Sequence, residues 1–162
     1  MNITTITTPA RPLTIVATDE GVVRAAGFGL DASQLVPASA RRRPDLGDIT
    51  KAVRAYLDGD LAAIDDVPVE QPGGAFLQAA WQALRASRPG EPLTYTELAA
   101  RAGNPAAVRA AANACARNQV ALFVPCHRVL RLDGGLGGYR WGTGVKQWLL
   151  AHERAHAAAL TG

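Results

Sequence analysis

The tetrapeptide Pro125-Cys126-His127-Arg128 carries the strongest chemical signal in this sequence. A cysteine reacts as its thiolate, and a histidine or arginine directly after it can stabilise that anion. A free cysteine often packs as a small, inert hydrophobe, but the setting of Cys126 argues otherwise. Pro125 fixes its own φ and restricts Val124 to extended geometry, so Cys126 stands at a rigid exit from the apolar run Val120-Ala121-Leu122-Phe123-Val124. Rigid presentation is what a reacting atom needs. A histidine acting as base also needs an orienting group. Glu153, beside Trp148 and Leu149 in the last helical pattern, is the candidate carboxylate, with a solvated helix position as the plainer alternative.

The elements that must position these residues can be read along the chain. Pro12–Ala17 and Val22–Phe28 are apolar β-formers around a Gly-containing turn, which predicts a β-hairpin in a short N-terminal sheet. The triplet Arg41-Arg42-Arg43 is expected as a solvated loop. Ile49, Val53, Tyr56 and Leu57 recur at helical spacing up to Gly59, predicting an amphipathic helix. The Pro- and Gly-rich stretch Val67–Gly74 is expected to divide the chain into units 1–73 and 74–162. Beyond it Phe76, Leu77, Ala80, Trp81 and Leu84 share a helical face. A helix capped at Thr94 or Thr96 and reaching about Ala102, the turn Gly103-Asn104, and a helix from Pro105 to about Arg117 form a helix-turn-helix pattern. Val120–Val124 then reads as a buried strand, Asp133–Gly144 as a glycine-rich loop, and a last helix begins near Val145. The expected fold class is α/β of the α+β kind.

Charge separates the two halves. Residues 1–75 hold 7 Lys+Arg against 10 Asp+Glu, and residues 76–162 hold 10 against 4, so any polyanion-binding surface belongs to the second half. With 48% hydrophobic and 19% charged residues, intrinsic disorder is excluded for most of the chain. No apolar run approaches the ~20 residues of a membrane span, and the N-terminus lacks the pattern of a signal peptide, so a cytoplasmic protein with no membrane partner is expected. Two cysteines and three histidines form no zinc-spaced cluster, so neither metal nor disulfide is expected. His152 and His156 stand at i, i+4 without a third ligand, Cys115 reads as a packing residue, and Trp81, Trp141 and Trp148 read as core or pocket walls.

Seven of the 13 residues from Pro105 to Arg117 are alanine; Arg109, Asn113 and Arg117 are the polar exceptions. Such a helix has little with which to read base edges in a major groove. Its slimness suits close approach to a narrow groove and binding through phosphates and shape, or simply core packing. If arginines neutralise phosphates, binding should depend strongly on salt.

Together, Val124-Pro125-Cys126-His127-Arg128-Val129, Thr94–Ala99, Ala107-Val108-Arg109-Ala110, Asn118, Gly138-Tyr139-Arg140-Trp141-Gly142 and Lys146–Glu153 resemble the O6-alkylguanine-DNA alkyltransferases, strongly over about residues 72–154. The resemblance implies a ribonuclease-H-like supporting domain over 1–73. It also implies a winged helix-turn-helix-like DNA-binding and alkyltransferase domain over 74–162. Cys126 would accept the alkyl group from guanine O6 irreversibly, and possible O4-alkylthymine repair is also implied. His127 would take the thiol proton through a water, with Glu153 polarising it. Tyr95 would assist at the base's N3. Arg109 would fill the stack after the nucleotide flips out, and Ala110, Asn113, Arg117 and Arg128 would also contact DNA. Asn118 would be the hinge, with Val129, Tyr139 and Arg140 in the pocket. Gln119 departs from the proline that many relatives carry there. The partner implied is double-stranded alkylated DNA, bound in the minor groove without sequence preference by a monomer, and no cofactor is required. The chain's length is expected to hold the alkyltransferase unit alone, without fused regulatory modules.

Three alternatives stay open. A lesion-marking relative binds without transferring, but such proteins replace the acceptor cysteine. A redox-responsive winged-helix regulator would need better base-reading side chains. A cysteine hydrolase would need an oxyanion-hole motif.

Overall fold

In a computed structural model, residues 1–29 and 37–157 are described. The chain forms a mixed α/β structure with a small N-terminal sheet followed by helices. The strands β1 (Asn2–Ile6), β2 (Leu13–Ala17), β3 (Val23–Phe28) and β4 (Arg41–Arg42) lie in the order β3-β2-β1-β4. The expected hairpin is β2–β3, antiparallel with Leu13 opposite Phe28 and Ile15 opposite Ala26. Arg41 and Arg42 are exposed as expected but form a two-residue strand parallel to β1, not a loop.

Helix α1 (Asp48–Leu57) buries Ile49, Val53 and Tyr56. Gly59 follows at φ +111°, and a Cβ there would meet the His156 ring at 2.7 Å. Glycine is thus needed both for the left-handed backbone and for space. Helix α2 (Ala75–Ala86) is joined to α4 (Val108–Arg117) by the Trp81 indole, which donates to the Ala114 carbonyl at 2.9 Å. Between them, β5 (Leu93–Thr94) leads into α3 (Tyr95–Arg101). There Thr94 and Glu97 form a reciprocal capping box with both bonds at 3.1 Å.

Two expectations are corrected. The second helix of the pair starts at Val108, because Asn104–Ala107 closes as a turn instead. Val120–Val124 is buried but is not a strand. After one bridge from Val120 to Ala26 the chain turns, with Leu122 at φ +71°, a conformation unfavourable for a residue with a branched side chain. A short apolar run cannot by itself distinguish a strand from a buried turn. The turn delivers a single 3-10 turn, Cys126–Arg128, then β6 (Val129–Leu130), which pairs in parallel with β5. The last helix, α5, spans Thr143–His156.

The outer edge of β3 connects the sheet to the rest. The N–H groups of Ala26 and Ala121 are bonded to the carbonyls of Gln119 and Ala26, both at 2.9 Å, while the Val23 N–H donates to the Pro68 carbonyl at 2.9 Å and the Val23 carbonyl accepts from the Glu70 N–H at 3.0 Å. One hydrophobic core cluster includes Ile15, Tyr56, Trp81, Leu98, Phe123 and Leu149, drawn from both halves of the chain. Among the described residues, no helix is long and apolar enough to cross a membrane and no trio of His, Cys, Asp or Glu is placed to hold a metal.

Candidate functional site

Cys126 opens onto a pocket of about 330 Å³ lined by Tyr95, Ala112, Cys115, Ala116, Cys126, Gly138, Tyr139 and Arg140. The lining comes from the start of α3, one face of α4, the 3-10 turn and the glycine-rich loop. Small side chains on α4 leave the room. Burial pushes the Cys126 thiol above its ordinary range, while the Asn118 amide at 3.4 Å, Lys146 and Arg140 act in the opposite direction. The resting group is therefore a thiol. Cys115 shares the pocket; burial raises its thiol well above the ordinary range, and Cys126 as a neighbouring anion adds to the rise.

The residue after Cys126 in the same turn is held by a carboxylate. His127 is fully buried, and its Nε2 lies 2.9 Å from Oε2 of Glu153. Burial lowers the basicity of the ring, although Glu153 pulls it back up. Because Nε2 faces a carboxylate, it carries the proton, which leaves Nδ1 with a free lone pair. Among the described residues, the buried Nδ1 and the buried Tyr139 hydroxyl have no hydrogen-bond partner, and the Tyr139 ring meets His127 edge-on at 6.5 Å. Burial also raises the Tyr95 phenol, which keeps it a proton donor.

Glu153 is surrounded by donors. Oε2 accepts from the Tyr56 hydroxyl at 2.7 Å, from His127, and from Nη2 of Arg128 at 3.1 Å, while Oε1 accepts from Arg128 Nε at 2.9 Å. Burial alone would raise its pKa, but His127 and Arg128 hold it well below the usual carboxylate range. Glu153 is thus an ion within the core, and the donors around it offset its loss of water.

Arg128 was expected among the DNA-contacting side chains, and the structure corrects that. It is 2% exposed, forms a two-pronged pair with Glu153, and donates from Nη1 to the Ser87 carbonyl and hydroxyl at 2.9 and 3.1 Å. A guanidinium used in this way cannot reach a phosphate. Val129 is also displaced from its expected place: it is fully buried behind the pocket, where its carbonyl accepts from the Lys146 ammonium at 2.7 Å. Lys146 bonds the Gly138 carbonyl too, at 3.2 Å, and so ties β6 to the glycine-rich loop.

The remaining expected residues fall into two places. Asn118 ends α4, fully buried, and its amide nitrogen donates to the Val124 carbonyl at 2.9 Å as well as facing the sulfur. Arg109, Asn113 and Arg117 share one exposed face of α4 at i, i+4 and i+8, with Ala110 half-buried beside them. Among the described residues, none of these three side chains has a hydrogen bond or ion pair. Arg140 is exposed at the pocket mouth, bonded to the Asn118 carbonyl at 3.3 Å and lying over the Trp141 ring.

Sequence reasoning missed Tyr56, Gln71, Ser87 and Lys146. Tyr56 gave only a helical-core signal. Lys146 in an otherwise apolar helical stretch was the one available hint, since a lysine on a buried face must bond something.

Residues 75–155 match the family described as 6-O-methylguanine DNA methyltransferase, DNA binding domain. The chain is 52% identical over 87 residues to the bifunctional transcriptional activator/DNA repair enzyme Ada of Escherichia coli, a match covering 54% of this chain and 25% of that protein. It therefore spans only about a quarter of that relative. It is 35% identical to the human methylated-DNA–protein-cysteine methyltransferase, over 94% of this chain and 80% of that one. The crystal structure of Mycobacterium tuberculosis OGT in complex with DNA superposes with a TM-score of 0.84 at 32% identity, covering 99% of this chain and 98% of that chain.

Proposed function

Because the chain belongs to the family of 6-O-methylguanine DNA methyltransferases, we propose that it repairs DNA by direct reversal, moving a methyl or other small alkyl group from guanine O6 to Cys126. The observation that carries this reading is a thiol lining the pocket, followed in the same 3-10 turn by a buried histidine bonded to a carboxylate that Arg128 and Tyr56 also hold.

In the proposed step, His127 Nδ1 takes the thiol proton, relayed through a water. The sulfur attacks the alkyl carbon in line with the C–O6 bond, which breaks with its electron pair moving onto the base. Tyr95 gives its phenolic proton to N3, so neutral guanine leaves and Cys126 remains as a thioether. Glu153 stabilises the imidazolium that forms. Tyr139 and Arg140 bound the pocket, and Asn118 joins α4 to the reactive turn. With no group to remove the alkyl, each molecule acts once.

The partner in this reading is double-stranded DNA. The exposed face of α4, with Ala110, Asn113 and Arg117, approaches the minor groove, and Arg109 fills the stack left by the flipped nucleotide. A helix so rich in alanine favours binding by shape and phosphate, without sequence preference. The protein acts as a cytoplasmic monomer. Residues 1–73 support a reactive unit formed by 74–162, a division supported by the start of the family match at residue 75.

The test is peptide mass spectrometry of the reduced protein after mixing with a duplex containing one O6-methylguanine. The expected result is a stoichiometric gain of one CH2 on the Cys126 peptide, absent in Cys126→Ala. Lesion binding without that gain would leave the lesion-marking alternative, and repair by Cys126→Ala would refute the assignment of the acceptor.

A further inference from the structure

Where α4 passes into the turn that delivers Cys126, the backbone N–H of Gln119 needs a partner, and it donates to the Gln71 side-chain oxygen at 3.0 Å. This bond settles which way the Gln71 amide faces. A backbone N–H can only donate, so the atom opposite it is oxygen and the amide nitrogen lies on the other arm. That nitrogen donates to Oδ1 of Asn118 at 2.8 Å. Asn118 is fixed by the same logic. Its Oδ1 also accepts from the Val120 N–H at 3.0 Å, and its Nδ2 faces the Val124 carbonyl at 2.9 Å and the Cys126 sulfur at 3.4 Å. Gln71 is itself anchored, since its carbonyl accepts from the Gln78 side chain of α2 at 2.7 Å. Both amides are buried.

We propose that Gln71 is a positioning residue for the nucleophile: by bonding both Asn118 and Gln119 it locks the Asn118 amide with its N–H toward the Cys126 sulfur. The segment joining the N-terminal half to α2 thereby helps set how readily the thiol becomes an anion. The inference rests on Cys126 being the acceptor of the reading above. An apolar side chain of equal size would fill the same space. Only a planar amide offers a donor and an acceptor on opposite arms.

The experiment is alkylation of the full chain by iodoacetamide across a pH series without DNA, with Cys126 followed by peptide mass spectrometry. Gln71→Met keeps the volume and loses both bonds. Its Cys126 curve should move to higher pH, and methyl transfer from duplex DNA at neutral pH should slow by roughly 3- to 10-fold, the worth of one hydrogen bond. Gln71→Glu keeps the acceptor but sets a carboxylate against Oδ1 of Asn118. That favours turning the Asn118 amide around, so its curve should move further. Superimposable curves for all three proteins overturn the proposal, as does a loss of thermal stability with an unshifted curve, which would make Gln71 a filler. Should the variants fail to fold, amide hydrogen exchange on the unaltered protein decides: a protected Gln119 N–H supports the clasp, and a freely exchanging one overturns it. A protein whose thiol follows these expectations but accepts no methyl group from DNA would refute the proposed function and leave Gln71's role standing.

Discussion

Glu153 and Arg109 both sit on helices of the second half, yet their surroundings are opposite. Glu153 is buried with four donors on its two oxygens, one of them the hydroxyl of Tyr56, 97 residues away. Arg109 is exposed on α4 and bonds nothing among the described residues. The difference separates two tasks. Around Glu153, polar groups are wired to each other, so in the proposed step no reorganisation is needed when charge appears on His127. On the α4 face, polar groups are left for something outside the molecule, and the alanines between them keep that face slim.

The sharpest way to break the comparison is to cut the buried side. Arg128→Met leaves Glu153 ionised with two donors gone, and should cost about 3–5 kcal/mol of stability by denaturant unfolding. A loss under 1 kcal/mol would mean the pair is not buried as described. The unaltered protein should also lose stability as pH falls. His127 is held below its ordinary value by burial, and Glu153 below its own by its donors. Each therefore takes up a proton more readily unfolded than folded, so stability is present above the unfolded pKa values. It is lost first as pH drops below about 6.5 and then through the carboxylate range. In Glu153→Gln the second loss should shrink.

On the exposed side, Arg109→Ala should leave the unfolding midpoint and the reaction with free O6-methylguanine base nearly unchanged. Transfer from duplex DNA should fall roughly tenfold or more, given the few kcal/mol needed to unstack a base. Equal loss on both substrates would sink the assignment of Arg109 to the stack. Tyr56→Phe sharpens the contrast from within. It removes a donor from the oxygen that also serves His127, costing about 1.5–3 kcal/mol of stability. A more electron-rich Glu153 should raise the basicity of His127, so the acid limb of the transfer-rate profile should move to higher pH. An unshifted limb would make Tyr56 purely structural.

These two regions were not equally readable from sequence. Cys126, His127 and Glu153 follow from residue type and setting, since a thiol, an imidazole and an orienting acid have few substitutes. The hairpin and α3 with its Thr94 cap follow from local patterns. Arg128 was placed on the DNA side by resemblance, and nothing local in the sequence marks it as buried. Its burial depends on Ser87 and Glu153, which are 41 and 25 residues away. Tyr56 and Gln71 look like a core aromatic and a linker amide, and nothing local records their partners. The turn at Leu122 was hidden because an apolar run states burial and not backbone shape.

The relay draws on residues 56, 87, 127, 128 and 153, so it also sets a schedule for the growing chain. Contacts this distant form late. Until α5 docks, His127 has no acid behind it and Arg128 no counter-ion. The acid, the histidine and the arginine of this turn therefore come together in one event, when α5 closes over α1.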